Sequence, residues 1–373
     1  HLLTILEQFS PERGPLDGFL HAYFRSHKAL GSKDRAYIGE MVYGLTRWGI
    51  LVEALSAGER GWQERLAAYE KYSKLFDDAL KHFPRLAPHV ALSFPQELYD
   101  ALKASLGEEE ANLFCLHSNR PAPTTLRANL LKCTRTELAE ILKEEGISTE
   151  PTLRSPYGLK LEKRLPLFHL ESFKKGLFEM QDEGSQLLAD LVDASPKQHV
   201  LDFCSGSGGK TLAFAHKLRG TGQLYLHDIR LNALQEAKKR MKRAGIENVQ
   251  FIPSGAGKLK KLKNRMDWTL VDAPCTGTGT LRRNPDMKMR FSLAELKKTA
   301  ELQRSILSEA VKSVKPGGHL VYSTCSVLKE ENEDQVAWIE EHLPLKLLSS
   351  PLKTSPAQEE MDGFFGAVFV KST

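Results

Sequence analysis

The chain runs to 373 residues, 41% of them hydrophobic and 27% charged, with a formal net charge of +5; that length suggests about two or three domains with sizeable cores. No run of about eighteen apolar residues offers a membrane span, and five scattered cysteines with no C-x-x-C pair argue against a disulfide scaffold and a zinc site, so a reducing cytoplasm is the expected setting. The charge is uneven: residues 1–150 hold 18 basic and 21 acidic side chains, residues 226–293 hold 15 and 6, which fits either a polyanion-facing surface or a solvated helix face with lysine-rich loops.

The chain starts at His1 without a basic-then-apolar leader, and a start other than methionine leaves targeting open. Residues 1–92 read as helical. "KDRAYIGEMVYGLTRWGILVEAL" spaces Ile38, Val42, Leu45, Leu51 and Leu55 at near-helical intervals, and Pro84, Pro88 and Pro95 break the pattern, so a boundary is expected near residue 92. Residues 93–190 read as mixed α+β. "PQELYDALKASLGEEEANLF" is an amphipathic helix interrupted near Gly107, and "TTLRANL" is a short strand. "TRTELAEILKEEGI" is a helix capped by Thr134 or Thr136 and stopped at Gly146. "GLFEMQDEGSQLLADLV" leads from a strand into a helix.

From about residue 197 the rhythm alternates. "HVLDFC", "QLYLHD", "NVQFI", "DWTLVDAP" and "PGGHLVYSTC" read as strands; "TLAFAHKL", "LNALQEAKKRMKRA" and "LAELKKTAELQRSILSEAVKSV" read as helices. That alternation predicts a parallel α/β sheet, which binds ligands at the carboxyl ends of its strands.

The loop "CSGSGGKT", Cys204 to Thr211, follows the first of these strands. A phosphate-binding P-loop needs a glycine separated by four residues from its Gly-Lys pair, and Cys204 stands in that place. The dinucleotide pattern G-x-G-x-x-G fits Gly206 and Gly208 but fails at Thr211. What remains is a small-residue turn that lets backbone approach a ligand, followed by helix amides. Asp228 ends the next strand, where an acid commonly accepts from ribose hydroxyls. Together these suit an S-adenosylmethionine site better than an empty tight turn.

Two thiols stand at strand ends: Cys275 in "VDAPCTGTG", beside Asp272, and Cys325 in "YSTCSV". A single buried cysteine is usually an inert small hydrophobe; two at the ligand-binding edge fit that reading poorly. A thiolate beside a methyl donor suits cytosine C5, a weak nucleophile. Addition of the thiolate to C6 makes C5 enamine-like, a neutral acid at N3 favours the addition, and a base must later remove the C5 proton. The target base must be unstacked or single-stranded.

"LDFCSGSGGKT", "DAPCTGTGTLRRNPDMK", "YSTCSVLKEEN" and "DGFF" together resemble the RNA cytosine-5 methyltransferases of the Sun/Fmu (RsmB) and NOL1/NOP2 family. The resemblance implies three parts: a helical NusB-like domain over 1–92, a mixed α+β RNA-binding domain over 93–190, and a Rossmann-like methyltransferase domain over 191–373. It makes Cys325 the nucleophile, Cys275 the thiol that assists release, Asp272 the contact to the cytosine edge, and Lys210 a cation between cofactor and thiols. Cys204, Ser205, Gly206, Ser207, Gly208, Gly209, Lys210, Asp228, Arg230, Ser254 and Asp272 would hold S-adenosylmethionine, and Arg282, Arg283 and Lys288 would meet RNA phosphate. The implied protein is a monomeric enzyme acting on ribosomal RNA of the small subunit, without metal or membrane. A transfer-RNA cytosine-5 methyltransferase, or a catalytically weak RNA-binding assembly factor, are the alternatives. The sequence departs from the family at Gly206-Ser207, where Ala-Pro is usual, at Ser254, where an acid is usual, and at Met289, where tryptophan is common. The first two departures bear on donor affinity.

Overall fold

A computed structural model describes residues 1–56, 61–163, 165–255 and 257–372. It divides into two compact units, one of His1–Ala122 with Thr276–Leu296, the other of Pro123–Cys275 with Lys297–Thr373.

The first unit is helical. Its long helix, Ser32–Leu55, buries Ile38, Val42, Leu45, Trp48 and Leu51 along one stripe, and these pack with Ile5, Leu16, Leu20 and Phe76 into one core. The helices Gln96–Leu106 and Glu108–Ser118 meet at Gly107, whose φ of +84° gives the interruption expected there. The expected boundary near residue 92 is not where the chain changes unit. Ser93 Oγ accepts from Ile50 N (3.0 Å), and Asn119 Nδ2 donates to Leu92 O (2.7 Å), so these helices are tied into the first unit. Residues 276–296, expected within the catalytic domain, also fold here: Leu293 N donates to Glu97 Oε1 (2.9 Å) and Arg290 Nη1 to Pro11 O (3.2 Å).

The second unit holds two sheets. The smaller contains β1 (Thr125–Ala128), β2 (Thr149–Pro151), β3 (Gly158–Leu161) and β4 (Phe178–Met180), antiparallel in the order β2-β3-β1-β4. The helix Arg135–Glu144 packs Leu138 and Leu142 against Leu126, Leu159 and Phe178. Thr134 is its cap: Thr134 Oγ1 accepts from Glu137 N (3.2 Å) and Glu137 Oε2 accepts from Thr134 N (2.8 Å).

The larger sheet contains β5 (His199–Asp202), β6 (Gln223–Asp228), β7 (Val249–Pro253), β8 (Met266–Asp272), β9 (Val314–Thr324), β10 (Leu345–Leu347), β11 (Leu352–Thr354) and β12 (Phe364–Lys371). The order is β10-β12-β9-β8-β5-β6-β7, with β11 beside β12. Strands β7, β6, β5, β8 and β9 run parallel, and β12 runs antiparallel to β9. Side chains alternate between faces. Leu270 and Val321 join Phe214, Leu234 and Met241 in one core, while Val271, Leu320 and Tyr322 join Leu307, Val311 and Ile339 in another. The chain leaves β5 toward β6 on one side and returns to β8 on the other, a switch point whose crevice opens beyond the carboxyl ends. Register pairs Asp202 with Leu226 and Leu270, Asp272 with Ser323, and Phe365 with Thr324. The glycine loop, both thiols and the "DGFF" segment therefore lie at one edge.

Candidate active site

The glycine loop is fixed by backbone bonds to the neighbouring strands: Phe203 N donates to Leu270 O (2.8 Å) and Ser205 N to His227 O (2.9 Å). Gly206 and Gly208 take φ of +51° and +79°. A Cβ on Gly208 would lie 2.6 Å from Met241 Cε, so this position needs glycine for conformation and for space. Asp228 Oδ2 accepts from Gly206 N (2.8 Å), while Oδ1 accepts from Arg230 N (2.8 Å) and Nε (3.0 Å). Burial pushes the Asp228 carboxyl up, but these hydrogen bonds outweigh it and hold it below the usual range. Ser254 directly follows β7 at the same edge and is exposed.

Asp202 Oδ2 accepts from Thr211 Oγ1 (2.6 Å). Its Oδ1 and Ser205 Oγ are buried without a protein partner. Two orphaned oxygens beside two positive-φ glycines and a strand-end acid fit a small polar ligand such as S-adenosylmethionine. Burial is also the first reason that Asp202 is pushed up to about 7; the Asp272 and Asp228 charges add to it, against Thr211 and Lys210. The Cys204 thiol is pushed up by burial and then by the Asp202, Asp272 and Asp228 carboxylates, so it stays a neutral lining group.

Beyond β8 and β9 the expected chemistry converges. Cys275 Sγ and Cys325 Sγ are 3.2 Å apart, and neither is in a disulfide. Lys210 Nζ lies 2.5 Å from Asp272 Oδ2, and Ser323 Oγ donates to Asp272 Oδ1 (3.2 Å). Lys210 Nζ also stands 6.0 Å from the Phe364 ring centroid. Burial works against the Lys210 ammonium, but the Asp272 carboxylate and then Cys325 more than offset it, so its pKa is raised and it stays charged at neutral pH. The arrangement offers a nucleophilic sulfur, a second sulfur within proton-transfer reach, and a carboxylate oriented from both sides.

The expected phosphate contacts need correction. Lys288 is 1% exposed. Its Nζ donates to Ser93 O (2.7 Å), Asn119 Oδ1 (3.0 Å) and Arg47 O, and lies 4.7 Å from the Phe94 ring centroid. Burial, against Cys115 and aided by Arg47, pushes it down to about 7. Enclosed in this way, Lys288 is an internal tie of the helical unit and has no free ammonium for phosphate. Arg282 is 4% exposed, and its carbonyl accepts from Arg47 Nη2 (3.1 Å). Arg283 is half-buried in the same segment.

Sequence reasoning also passed over partners that the fold supplies. Ser323 stands inside the quoted "YSTC" but took no role. Glu179 and Arg240, far apart in the chain, meet beside Ser207 with no motif to mark them. Among the described residues, no helix is long and apolar enough to cross a membrane, and no group of three or more His, Cys, Asp or Glu could hold a metal.

The family model "16S rRNA methyltransferase RsmB/F" matches residues 189–370, and the ferredoxin-like domain of the same family matches 94–167. The probable ribosomal RNA small subunit methyltransferase B of Synechocystis sp. is 30% identical over 299 residues, covering 75% of this chain and 67% of that protein. The corresponding Bacillus subtilis protein is 34% identical over 253 residues, covering 67% of this chain and 56% of its own length. The chain thus spans between about half and two thirds of the curated relatives it matches. The crystal structure of NSun6 from Pyrococcus horikoshii with SFG, an S-adenosylmethionine analogue, superposes with a TM-score of 0.67 at 24% identity, covering 75% of this chain and 99% of that one. The motifs, the fold and these relatives agree: the chain belongs to the RsmB/F family of 16S ribosomal RNA methyltransferases.

Proposed function

We propose that this chain methylates cytosine C5 in RNA, with small-subunit ribosomal RNA as substrate and S-adenosylmethionine as donor. The observation that carries the reading is the pair of reduced cysteine sulfurs, 3.2 Å apart, beside the Lys210–Asp272 pair at the carboxyl edge of a parallel sheet. The donor supplies a methyl group on a sulfonium. Cys204–Gly209, Asp228, Arg230 and Ser254 hold it.

Cys325 Sγ, as thiolate, adds to C6 of the cytosine. The electron pair of the C5–C6 bond moves toward C5, which becomes the nucleophile. Asp272 engages the N3 and amino edge of the base, with the Lys210 ammonium as its proton partner. Once the methyl group has moved to C5, its bond to the sulfonium broken and the donor left as a neutral thioether, the remaining C5 proton leaves to a base, the double bond re-forms, and the bond from C6 to Cys325 breaks, its electron pair returning to the sulfur. Cys275 assists that last step. The helical unit is read as NusB-like and the small sheet as RNA-facing, and the target base must be unstacked to reach the thiols.

The test is a pair of variants with an RNA substrate. Cys325→Ala is expected to abolish methyl transfer. Cys275→Ala is expected to accumulate an RNA–protein adduct that survives a denaturing gel. Full activity in Cys325→Ala would sink the covalent scheme, and bisulfite sequencing of RNA from cells lacking the gene would locate the target base.

A further inference from the structure

The glycine loop is braced from outside the site. Arg240, on the helix Leu231–Ala244, donates through Nη1 to Ser207 O (3.0 Å) and Ser207 Oγ (2.7 Å), and through Nη2 to Glu179 Oε2 (3.0 Å). Glu179 is the middle residue of β4 and is buried. Its other oxygen accepts from Arg243 Nη2 (2.5 Å), and the Arg243 guanidinium lies 4.1 Å from the Phe173 ring centroid. The helix is tied to the smaller sheet's connections at its far end as well. Lys132 Nζ donates to Lys175 O (2.6 Å) and Arg243 O (2.7 Å), and Asn129 Nδ2 to Gly176 O (2.8 Å) and Ala244 O (2.9 Å). At Gly176 the backbone passes so close that an added Cβ would sit 2.2 Å from Arg243 O.

These contacts have a direction. One buried carboxylate shared by two guanidinium groups fixes the Arg240 fork, which alone would sample many rotamers. The other edge of that fork lands on Ser207, the residue between Gly206 and Gly208. Both glycines sit at positive φ, where their backbone has little preference of its own. The turn's shape therefore depends on what grips Ser207. Ser207 offers two acceptors to the same nitrogen, and its hydroxyl is the shorter contact.

We propose that Arg240 is a positioning residue for the donor loop, held by Glu179, so that donor affinity is set partly by the small sheet. This rests on the reading that the loop binds S-adenosylmethionine. A loop that is in its competent shape only part of the time binds with a dissociation constant raised by that fraction. Releasing the fork lowers the fraction.

The experiment is calorimetric titration of the full chain with S-adenosylmethionine, alongside turnover at saturating donor and RNA. Arg240→Met is expected to raise the donor Kd about tenfold, equivalent to about 1.4 kcal/mol, the size of one hydrogen bond to a charged group. Glu179→Gln is expected to act in the same direction by a smaller factor. In an Arg240→Met/Ser207→Ala double variant the two effects should multiply to less than their product, because they remove one interaction. Arg240→Lys should recover part of the affinity. Turnover at saturation in Arg240→Met and Glu179→Gln should stay within about twofold, since a loop-shape penalty is overcome by donor. A purely structural role would instead lower turnover and leave Kd unmoved, and that result overturns the proposal. So does an unchanged Kd in both Arg240→Met and Glu179→Gln. Should Arg240→Met fail to fold, Arg240→Lys and Glu179→Gln carry the same comparison. Failure of the parent chain to bind the donor would overturn the cofactor reading itself.

Discussion

Lys288 should make the stability of the helical unit rise with pH. Its ammonium is held near about 7, against an ordinary value of 10.5, chiefly by burial. The folded value lies below the unfolded one, so between them the unfolded chain binds more protons. Stability therefore increases with pH across that window, and the penalty is fully present below about pH 7. One proton's difference amounts to about 1.36 kcal/mol per pH unit. Between pH 7 and pH 9 that gives about 2 kcal/mol as an upper figure, reduced to about 1–2 kcal/mol because three acceptors and the Phe94 ring solvate the ammonium. Lys288→Met removes the titration and leaves Arg47 O, Ser93 O and Asn119 Oδ1 without this donor, a loss of about 1–3 kcal/mol for each acceptor not rescued by relaxation. The variant should be the less stable chain at both pH values, with the gap wider by about 1–2 kcal/mol at pH 9. Urea denaturation of the full chain, followed by tryptophan fluorescence, measures it; Trp48 and Trp62 report on the helical unit. A gap equal at the two pH values, or narrower at pH 9, would refute the buried-ammonium argument.

The catalytic edge yields two more expectations. Lys210→Met removes the cation beside Asp272 and should slow single-turnover methyl transfer by about a hundredfold or more, while donor Kd moves less than about threefold; near-parental transfer rates would remove Lys210 from the mechanism. Gly208→Ala should destabilise by about 1–2 kcal/mol from the left-handed backbone alone, with a further cost from Met241 Cε. Gly206→Ala has only the backbone cost, its Cβ having open space apart from Arg230 Nη2 at 3.6 Å. Thermal melts of the two variants should rank Gly208→Ala below Gly206→Ala, and the reverse order would contradict the packing at Met241.

Local pattern carried the catalytic half of the molecule well. "QLYLHD" and "LNALQEAKKRMKRA" match β6 and the helix Leu231–Ala244 residue for residue, because a short apolar and aromatic run, a helical stripe and a terminal Gly245 mark them in sequence. The strand-end residues Asp228, Asp272 and Cys325 were legible for the same reason: in a parallel sheet, the end of a strand is already an address. Side chains whose role is set by distant partners were not. Lys288 reads as one more basic loop residue until Ser93 and Asn119 close around it, 195 and 169 positions away. Glu179 and Arg240 carry no local mark, since their meaning comes from meeting across 61 positions. The two compact units part after Ala122 rather than near residue 92 for a similar reason. Prolines show where a helix stops, but the core that the next helices join is decided by side chains such as Ser93 and Asn119.

The return of residues 276–296 to the helical unit also sets a timetable for synthesis. Leu16 N donates to Asp286 Oδ2 across 270 positions, and Arg47 O and Ser93 O likewise wait for Lys288. Residues 1–122 thus hold unmet polar groups until residues 276–296 emerge. At translation rates of about 5–20 residues per second, the intervening residues 123–275 take roughly eight to thirty seconds to make. Throughout that interval these polar groups are left to water, although the apolar core of the amino-terminal helices draws nothing from residues 276–296.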